Sequence, residues 1–589
     1  MTGKPIAIAV AVFLMLASRC LALHEQIDSP MYRSPDLNGP PVEVMFFDGL
    51  KELWLRALTR PEAEVRLRAA GAIALAHERG MKGLDATVPP LLQVLDAPEP
   101  HPAVRLAIAR TLVALDARKA APSLLRQLES ADAELRDIIE PALAHWNHEP
   151  ARAVWLKRLV SSTPPRSLVL ALQGVAAARE EKAVLPLRKL LNDTGLSGAL
   201  RIEAARALGA IREHGLENDA TDLLGVSQSP PVANRLGAAL ILRRQGSAEA
   251  VAILQRLAKD TEPAVASIAL GRLIDIDPKL VLSQIGALLA SPDPELRQHA
   301  VEALYRAPTA ERVHELAGRL QDVHPSVRIK ARQHLLKLAE QKPLRRPVLE
   351  AAGKVLAAGS WQGLEQAAIL LTQLEHRPAA KRLVELLNAD RPEVFVTAAW
   401  GLRKLAVPDT YPEITKYVAV ERDRLIKNKP LPARKLLGEL IDHQLSQLNQ
   451  LLGQEKYTAA DTVLHGFVPK QTGMTECRAA AIWALGLFRE GTPDAALVQE
   501  LEARIKDVGS IPPEMPPVQR MSAVAIGRMK AEEALPTLRR FWTGVPTNNP
   551  TANACGWAIE RITGEPMPAP TPLRQYRADW FLMPIPNTN

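Results

Sequence analysis

The sequence predicts an all-α protein, an α-solenoid of stacked helix-turn-helix repeats. Three observations carry this. A short motif recurs about a dozen times, and between residues 64 and 393 its starts lie 31 to 39 residues apart. Aromatic residues are only 4% of the chain, so the core must be built from Leu, Ala, Val and Ile. The chain also holds 48 prolines in 589 residues, above the usual ~5%, as expected of many short helices with many stops.

The first segment, MTGKPIAIAVAVFLMLASRCLAL, starts with Lys4 and continues with an apolar run from Ile6 to Ala17. Residues 1–22 therefore read as a secretory signal peptide with cleavage near Ala22. The run is shorter than the ~20 apolar residues that span a bilayer, so no stable membrane insertion is expected after cleavage. Arg19 before Cys20 argues against lipidation. Residues 23–45, rich in Pro, Ser and Asn, read as a linker. The repeat array is expected over 46–408. It includes EVRLRAAGAIALA from Glu64, AVRLAIARTLVAL from Ala103, ELRDIIEPALAHW from Glu134, ALRIEAARALGAI from Ala199, ELRQHAVEALYRA from Glu295 and SVRIKARQHLLKL from Ser326. The second slot is usually Val or Leu, the sixth Ala, the tenth Leu. A spacing of four puts them on one helix face, and the small Ala admits a neighbouring helix. A shorter amphipathic stretch precedes each copy, as in VPPLLQVLDA. One such pair cannot bury its own apolar face, whereas stacked pairs can.

Between 409 and 470 the period fails, and longer helices broken near Lys429-Pro430 are expected. Arg422, Arg424, Lys427, Lys429, Arg434 and Lys435 make this the sharpest charge bias of the chain. A run of this kind either solvates a helix face or grips an anionic partner. The repeats resume over 471–564. The proline-rich tail 565–589 carries Trp580, Phe581, Leu582 and Met583, which are expected to fold back as a cap over the open end of the last repeat. Cys477 and Cys555 fall about two repeats apart, roughly 20 Å at 8–10 Å per helix layer, beyond the ~7 Å that a disulfide allows. Two free, buried thiols are expected.

The motif x-(V/L)-R-x-x-A-x-x-x-L resembles HEAT repeats, and more closely the short HEAT-like repeats of phycobilisome lyases. The resemblance covers roughly 50–408 and 471–564. Its third slot holds Arg66, Arg105, Arg136, Arg201, Arg235, Arg297, Arg328 and Arg478. The resemblance implies that these form a structural ladder, with Asp–Arg hydrogen bonds tying neighbouring repeats. A basic stripe that binds anions is the alternative.

No phosphate-binding glycine loop, dinucleotide fingerprint, nucleophile elbow or zinc motif occurs. The HEAT-repeat deoxyhypusine hydroxylases bind two irons through four His-Glu pairs, and this chain also has four: His24-Glu25, His77-Glu78, His148-Glu149 and His314-Glu315. In that family the pair fills the fourth and fifth slots of the second helix. Here those slots hold residues such as Leu67-Arg68, Leu106-Ala107 and Ile329-Lys330. A bilin lyase activity, implied by the other resemblance, conflicts with the signal peptide. The expected function is an exported, non-enzymatic scaffold that binds an extracytoplasmic protein through a concave solenoid surface, without catalytic residues, metal or cofactor. A hydroxylase or lyase is the alternative. A net charge of +8 over 589 residues is too mild to argue for nucleic acid.

Overall fold

The computed structural model describes residues 28–37, 39–98, 101–225, 230–427, 437–576 and 579–584. Among them the chain is helical almost throughout, and the one sheet has two strands, Val42–Met45 and Leu573–Tyr576. Two compact units emerge. The N-terminal array comprises 43–303 with the tail from 574, and the C-terminal array comprises 304–573 with the segment up to 42. The repeat motif continues unchanged past residue 303, so nothing in the sequence marks this division.

In the N-terminal array a first helix, α1 (Leu50–Leu58), packs on the first of the second helices, α2 (Ala63–Glu78). Then α3 (Pro102–Ala114), α4 (Ala133–His145), α5 (Pro165–Ala177), α6 (Gly198–Ile211), α7 (Val232–Ile241) and α8 (Pro263–Ile276) stack each on the one before. Shorter helices such as Val88–Leu95 and Val184–Asn192 fill the other layer. In the C-terminal array the second helices are α9 (Pro325–Leu338), α10 (Trp361–Gln373) and α11 (Pro392–Leu405). The region expected to be irregular is one enlarged repeat. Its first helix is α12 (Tyr411–Ile426) and its second is α13 (Gly438–Gln454), which stacks between α11 and α14 (Thr475–Phe488). The longer step from the start of α11 at Pro392 to the start of α13 at Gly438 hides the period while the stacking persists. The array ends with α15 (Pro516–Met529) and α16 (Pro550–Thr563).

Local chemistry explains these boundaries. Proline opens α3, α5, α8, α9, α11, α15 and α16 at the first turn, where its missing N–H has no intrahelical role. Asp132 caps α4 by accepting the Leu135 N–H at 2.8 Å. Several second helices end in a left-handed residue: Asp116 after α3, Asn147 after α4, Arg179 after α5 and Lys456 after α13. The next N–H then closes back over the turn, as in Ala117 N to Leu112 O at 3.0 Å and Glu180 N to Val175 O at 3.0 Å.

Second helices of the C-terminal array touch backbone to backbone. A Cβ on Gly486 would lie 2.7 Å from Ala525 Cα, and one on Gly527 would lie 2.7 Å from Ala558 Cα. Both cysteines are free and buried, Cys477 in α14 and Cys555 in α16, as the repeat spacing requires. Burial pushes the Cys555 thiol up to about 12, and burial with Asp442 alongside raises Cys477 as well.

The two ends of the chain depart from expectation. The tail does not close the last repeat. Trp580 is buried against Phe46 and Trp54, with ring centroids 5.6 Å from each, and the Arg79 guanidinium lies 5.0 Å from its ring. Trp54 Nε1 donates to Phe581 O at 2.6 Å, and Arg79 grips Asp579 with two bonds of 2.9 Å. The tail therefore caps the first repeat, whose aromatic side chains offer it a matching apolar wall. The N-terminal segment expected as linker is built into the C-terminal array from residue 28. Its apolar members Met31 and Leu37 are buried there.

Candidate functional site: a polypeptide groove on the C-terminal array

The second helices of the C-terminal array present a row of polar side chains. Trp400, Arg403 and Lys404 share one face of α11, and Gln447 and Gln450 share one face of α13. Glu476 and Trp483 stand on α14, and Arg520 and Arg528 on α15. Residues 28–37 lie across all four helices.

The contacts fall on backbone and side chains alike. Asp28 O accepts from Arg403 at 3.0 Å and from Gln447 at 3.1 Å. Gln450 takes the Met31 N–H at 3.1 Å and donates to Ser29 Oγ at 3.0 Å. Arg520 donates to Tyr32 O at 2.9 Å and lies over the Tyr32 ring at 5.4 Å. Ser34 O receives two bonds of 2.7 Å, from Trp483 Nε1 and from Arg528. Beside Ser29, three more side chains of the segment are read. The Asp28 carboxylate takes Lys404 at 3.0 Å and the Trp400 indole at 3.3 Å, and pairs with Arg403. The Tyr32 hydroxyl donates to Glu476 at 2.9 Å, and Ser34 Oγ accepts from Arg528 at 3.1 Å.

The electrostatics follow from burial. Burial works to raise the Asp28 carboxyl, but Arg403 and Lys404 outweigh it and hold the group below the usual range. Burial and the neighbouring Glu476 raise the Tyr32 phenol far above its ordinary value, so it stays a donor. Burial lowers Arg403 although Asp28 pulls the other way, and burial pushes Arg528 down to about 10. Arg528 remains charged at neutral pH. Arg528 also donates to Trp483 O at 3.2 Å and lies 5.1 Å from that ring.

The N-terminal array has a different second-helix face. Leu67, Gly71 and Ala74 of α2 face Ala103, Leu106 and Ala107 of α3 across an open groove of about 400 Å³. Leu67 and Leu106 are part-exposed.

The basic run of the enlarged repeat is engaged internally where the structure describes it. Arg422 donates to Val463 O at 2.8 Å and to Asp423 at 2.8 Å. Arg424 pairs closely with buried Glu421, and Lys427 lies 3.9 Å from Asp423. Lys429, Arg434 and Lys435 lie outside the described residues.

The slot arginines bond within the array. Asp132 and Asp293, four residues before Arg136 and Arg297, cap helix N–H groups. Arg66, Arg297 and Arg328 reach carbonyls of their own turn, at Pro61, Pro292 and Val323. Arg105, Arg136 and Arg201 reach the next repeat at Ser130, Ser167 and Asn234. Arg235 grips Asp260 at 2.7 and 3.0 Å. Arg478 grips Glu514 at 2.9 and 2.8 Å, with both side chains 1% exposed.

The His-Glu pairs sit apart. His77-Glu78 ends α2, His148-Glu149 follows α4, and His314 is on the helix Ala310–Gly318, where its Nδ1 meets Ala310 O at 2.8 Å. His24-Glu25 lies outside the described residues. Among the described residues no three His, Cys, Asp or Glu side chains are grouped to hold a metal ion.

Residues 51–144 match the family model described as HEAT repeats. No curated protein matches the sequence. Among solved structures, Kap95p, reported to induce the GTP-bound conformation of the RanGDP switch loops, is similar over 88% of this chain and 72% of its own, with 14% identity and a TM-score of 0.49. Importin beta is similar over 87% and 72%, with 14% identity and a TM-score of 0.45. Kap121p bound to Ste12p is similar over 88% and 57%, with 12% identity and a TM-score of 0.47. Likeness at this identity concerns the fold alone. The class is an α-solenoid of stacked helix-turn-helix, HEAT-like repeats, with the HEAT-repeat model matched over 51–144.

Proposed function

We propose that the chain is an exported, non-enzymatic scaffold that binds an extracytoplasmic protein through the second-helix faces of its repeats. One observation carries the reading. The face of α11, α13, α14 and α15 holds a stretch of polypeptide, residues 28–37, through both its backbone and its side chains. Repeats of this class present continuous surfaces suited to long partners, because each layer repeats the same helix face. The open groove between α2 and α3 extends that kind of surface to the N-terminal array.

Export and binding are tested separately. Exported protein should begin near Leu23, and recovery of a chain that still starts at Met1 overturns export. Immobilised protein should retain a specific partner from envelope extract, and the purified partner should then bind directly and saturably. Leu106→Arg, which puts a charge into the open groove, should weaken that binding at least tenfold without changing helical content. A chain that retains no protein, or that turns over a small molecule, defeats the scaffold reading.

A further inference from the structure

The groove of the C-terminal array has an unusual chemical demand. Arg403 and Arg528 are buried, yet among the described residues neither is hydrogen-bonded to an acidic side chain of the receiving helices, and Glu490 acts on Arg528 only through its charge. Arg403 meets Gln447 and the main chain and carboxylate of Asp28. Arg528 meets Trp483 O and the oxygens of Ser34. Elsewhere the buried Arg478 is matched by Glu514 of its own array. A buried cation without a partner is costly, so this groove needs an occupant that brings oxygen atoms. An extended polypeptide brings them at every residue.

The occupant differs from a core element in two respects. It is far from its receiving helices in sequence, by 372 residues at Trp400 and 494 at Arg528. It also contributes no helix to the stack, because its only helical part is the 3-10 turn Pro30–Tyr32. The helices of the array contact one another directly rather than through it. Much of its recognition is through backbone carbonyls, which another sequence can supply. Side chains are read at Asp28, Ser29, Met31, Tyr32 and Ser34.

From this the geometry points to a peptide-binding site that the chain's own residues 28–37 occupy in cis. Its ligand in trans is an extended segment of a partner protein. That segment carries an acidic residue, then an unbranched apolar residue, then a hydroxylated aromatic and a serine, spaced as in Asp28, Met31, Tyr32 and Ser34. This rests on the reading of the second-helix faces as protein-binding surfaces. Cis occupancy makes the site conditional. A tethered segment acts at an effective concentration of about 1 mM, so a free peptide of intrinsic Kd about 1 μM would bind the intact chain roughly 1000-fold more weakly.

The test uses the full chain and a fluorescent peptide of residues 26–39, followed by anisotropy. The wild type should show little binding at micromolar peptide. The double variant Asp28→Lys, Tyr32→Ala, which weakens the tethered copy, should bind the peptide at least tenfold more tightly. Adding Arg528→Gln should abolish that gain. Equal binding by wild type and double variant overturns the inference, provided the variant keeps its helical spectrum. A second form covers a variant that misfolds. Pro40 and Pro41 are replaced by a protease site in the otherwise native chain, which is then cut. Exchange of the cut segment for labelled peptide supports the inference. A segment that never exchanges is a permanent part of the core and overturns it. A wild type that is dimeric through exchanged segments would name a second copy as the occupant and overturn the foreign partner. Failure of exchange while the purified partner still binds the wild type refutes this inference alone. Loss of both refutes the scaffold reading as well.

Discussion

The two arrays use one repeat to make opposite second-helix faces. In the N-terminal array α2 buries Ala69, Ala70, Ala72, Ile73 and Ala76, and its other side faces an open groove. In the C-terminal array α14 buries every residue from Cys477 to Gly486, because residues 28–37 cover the side that α2 leaves open. The lesson is that burial of a second helix is decided by what lies across it as much as by the stack. Gln450, Arg520 and Arg528 gain further partners from the segment, beside those that Gln450 and Arg528 have within the array.

The largest expected effect separates the arrays by stability. Arg478→Met leaves Glu514 buried with Arg504 at 3.5 Å as its remaining cation. Removing one partner of such a pair costs about 3–5 kcal/mol. Hydrogen exchange should show the loss in peptides from 304–573 and not in those from 43–303. A uniform loss would mean that the two arrays unfold as one.

Glycine substitutions should then differ in sign. Gly486→Ala forces a methyl against Ala525 and should cost about 1–3 kcal/mol in urea unfolding. Gly71→Ala in α2 meets nothing within 4 Å and should stabilise by up to about 1 kcal/mol, through helix propensity. Tyr32→Phe removes the hydroxyl bonded to Glu476 and should weaken docking of the segment by about 1.5 kcal/mol. Faster tryptic cleavage at Arg33 would report it.

A smaller effect concerns pH. The docked Asp28 carboxyl lies below its free value of ~3.9. Its contribution is therefore complete above that value and is lost as pH falls through the docked one. Protection of residues 28–37 from exchange should fall on acidification below about pH 4, and Asp28→Asn should remove that part of the pH response. The smallest effect is expected from Arg136→Ala. A single bond of 3.4 Å to Ser167 Oγ should be worth no more than about 0.5 kcal/mol, which thermal melting would show as almost no shift.

The stack was legible because Ala and Leu recur at fixed slots and each repeat solves the same packing problem. The enlarged repeat was not, since the step from Pro392 to Gly438 between its second helix and the one before breaks the period while keeping the stack. The cysteines were placed by spacing alone. The groove left no periodic trace, because Asp28 and Arg403 meet over 375 residues. A signal did exist. Gln447, Gln450, Arg520 and Arg528 are polar residues on helices otherwise apolar on most sides, and Met31, Tyr32 and Leu37 are apolar residues in a segment otherwise suited to a linker. The tail showed its need for cover through Trp580 and Phe581, but the wall it chose was set by Phe46 and Trp54 at the far end of the sequence.

The separation between the segment and its groove also sets a timetable. Residues 28–37 leave the ribosome early, whereas Arg528 follows Ser34 by 494 residues. At about 5–20 residues per second, the segment waits roughly 20–100 s before its receiving helices exist. During that interval the repeats can add one upon another as they emerge, but the C-terminal face cannot be closed. Its completion is a search by the oldest part of the chain for the newest, and whatever meets the segment in the meantime meets it unbound.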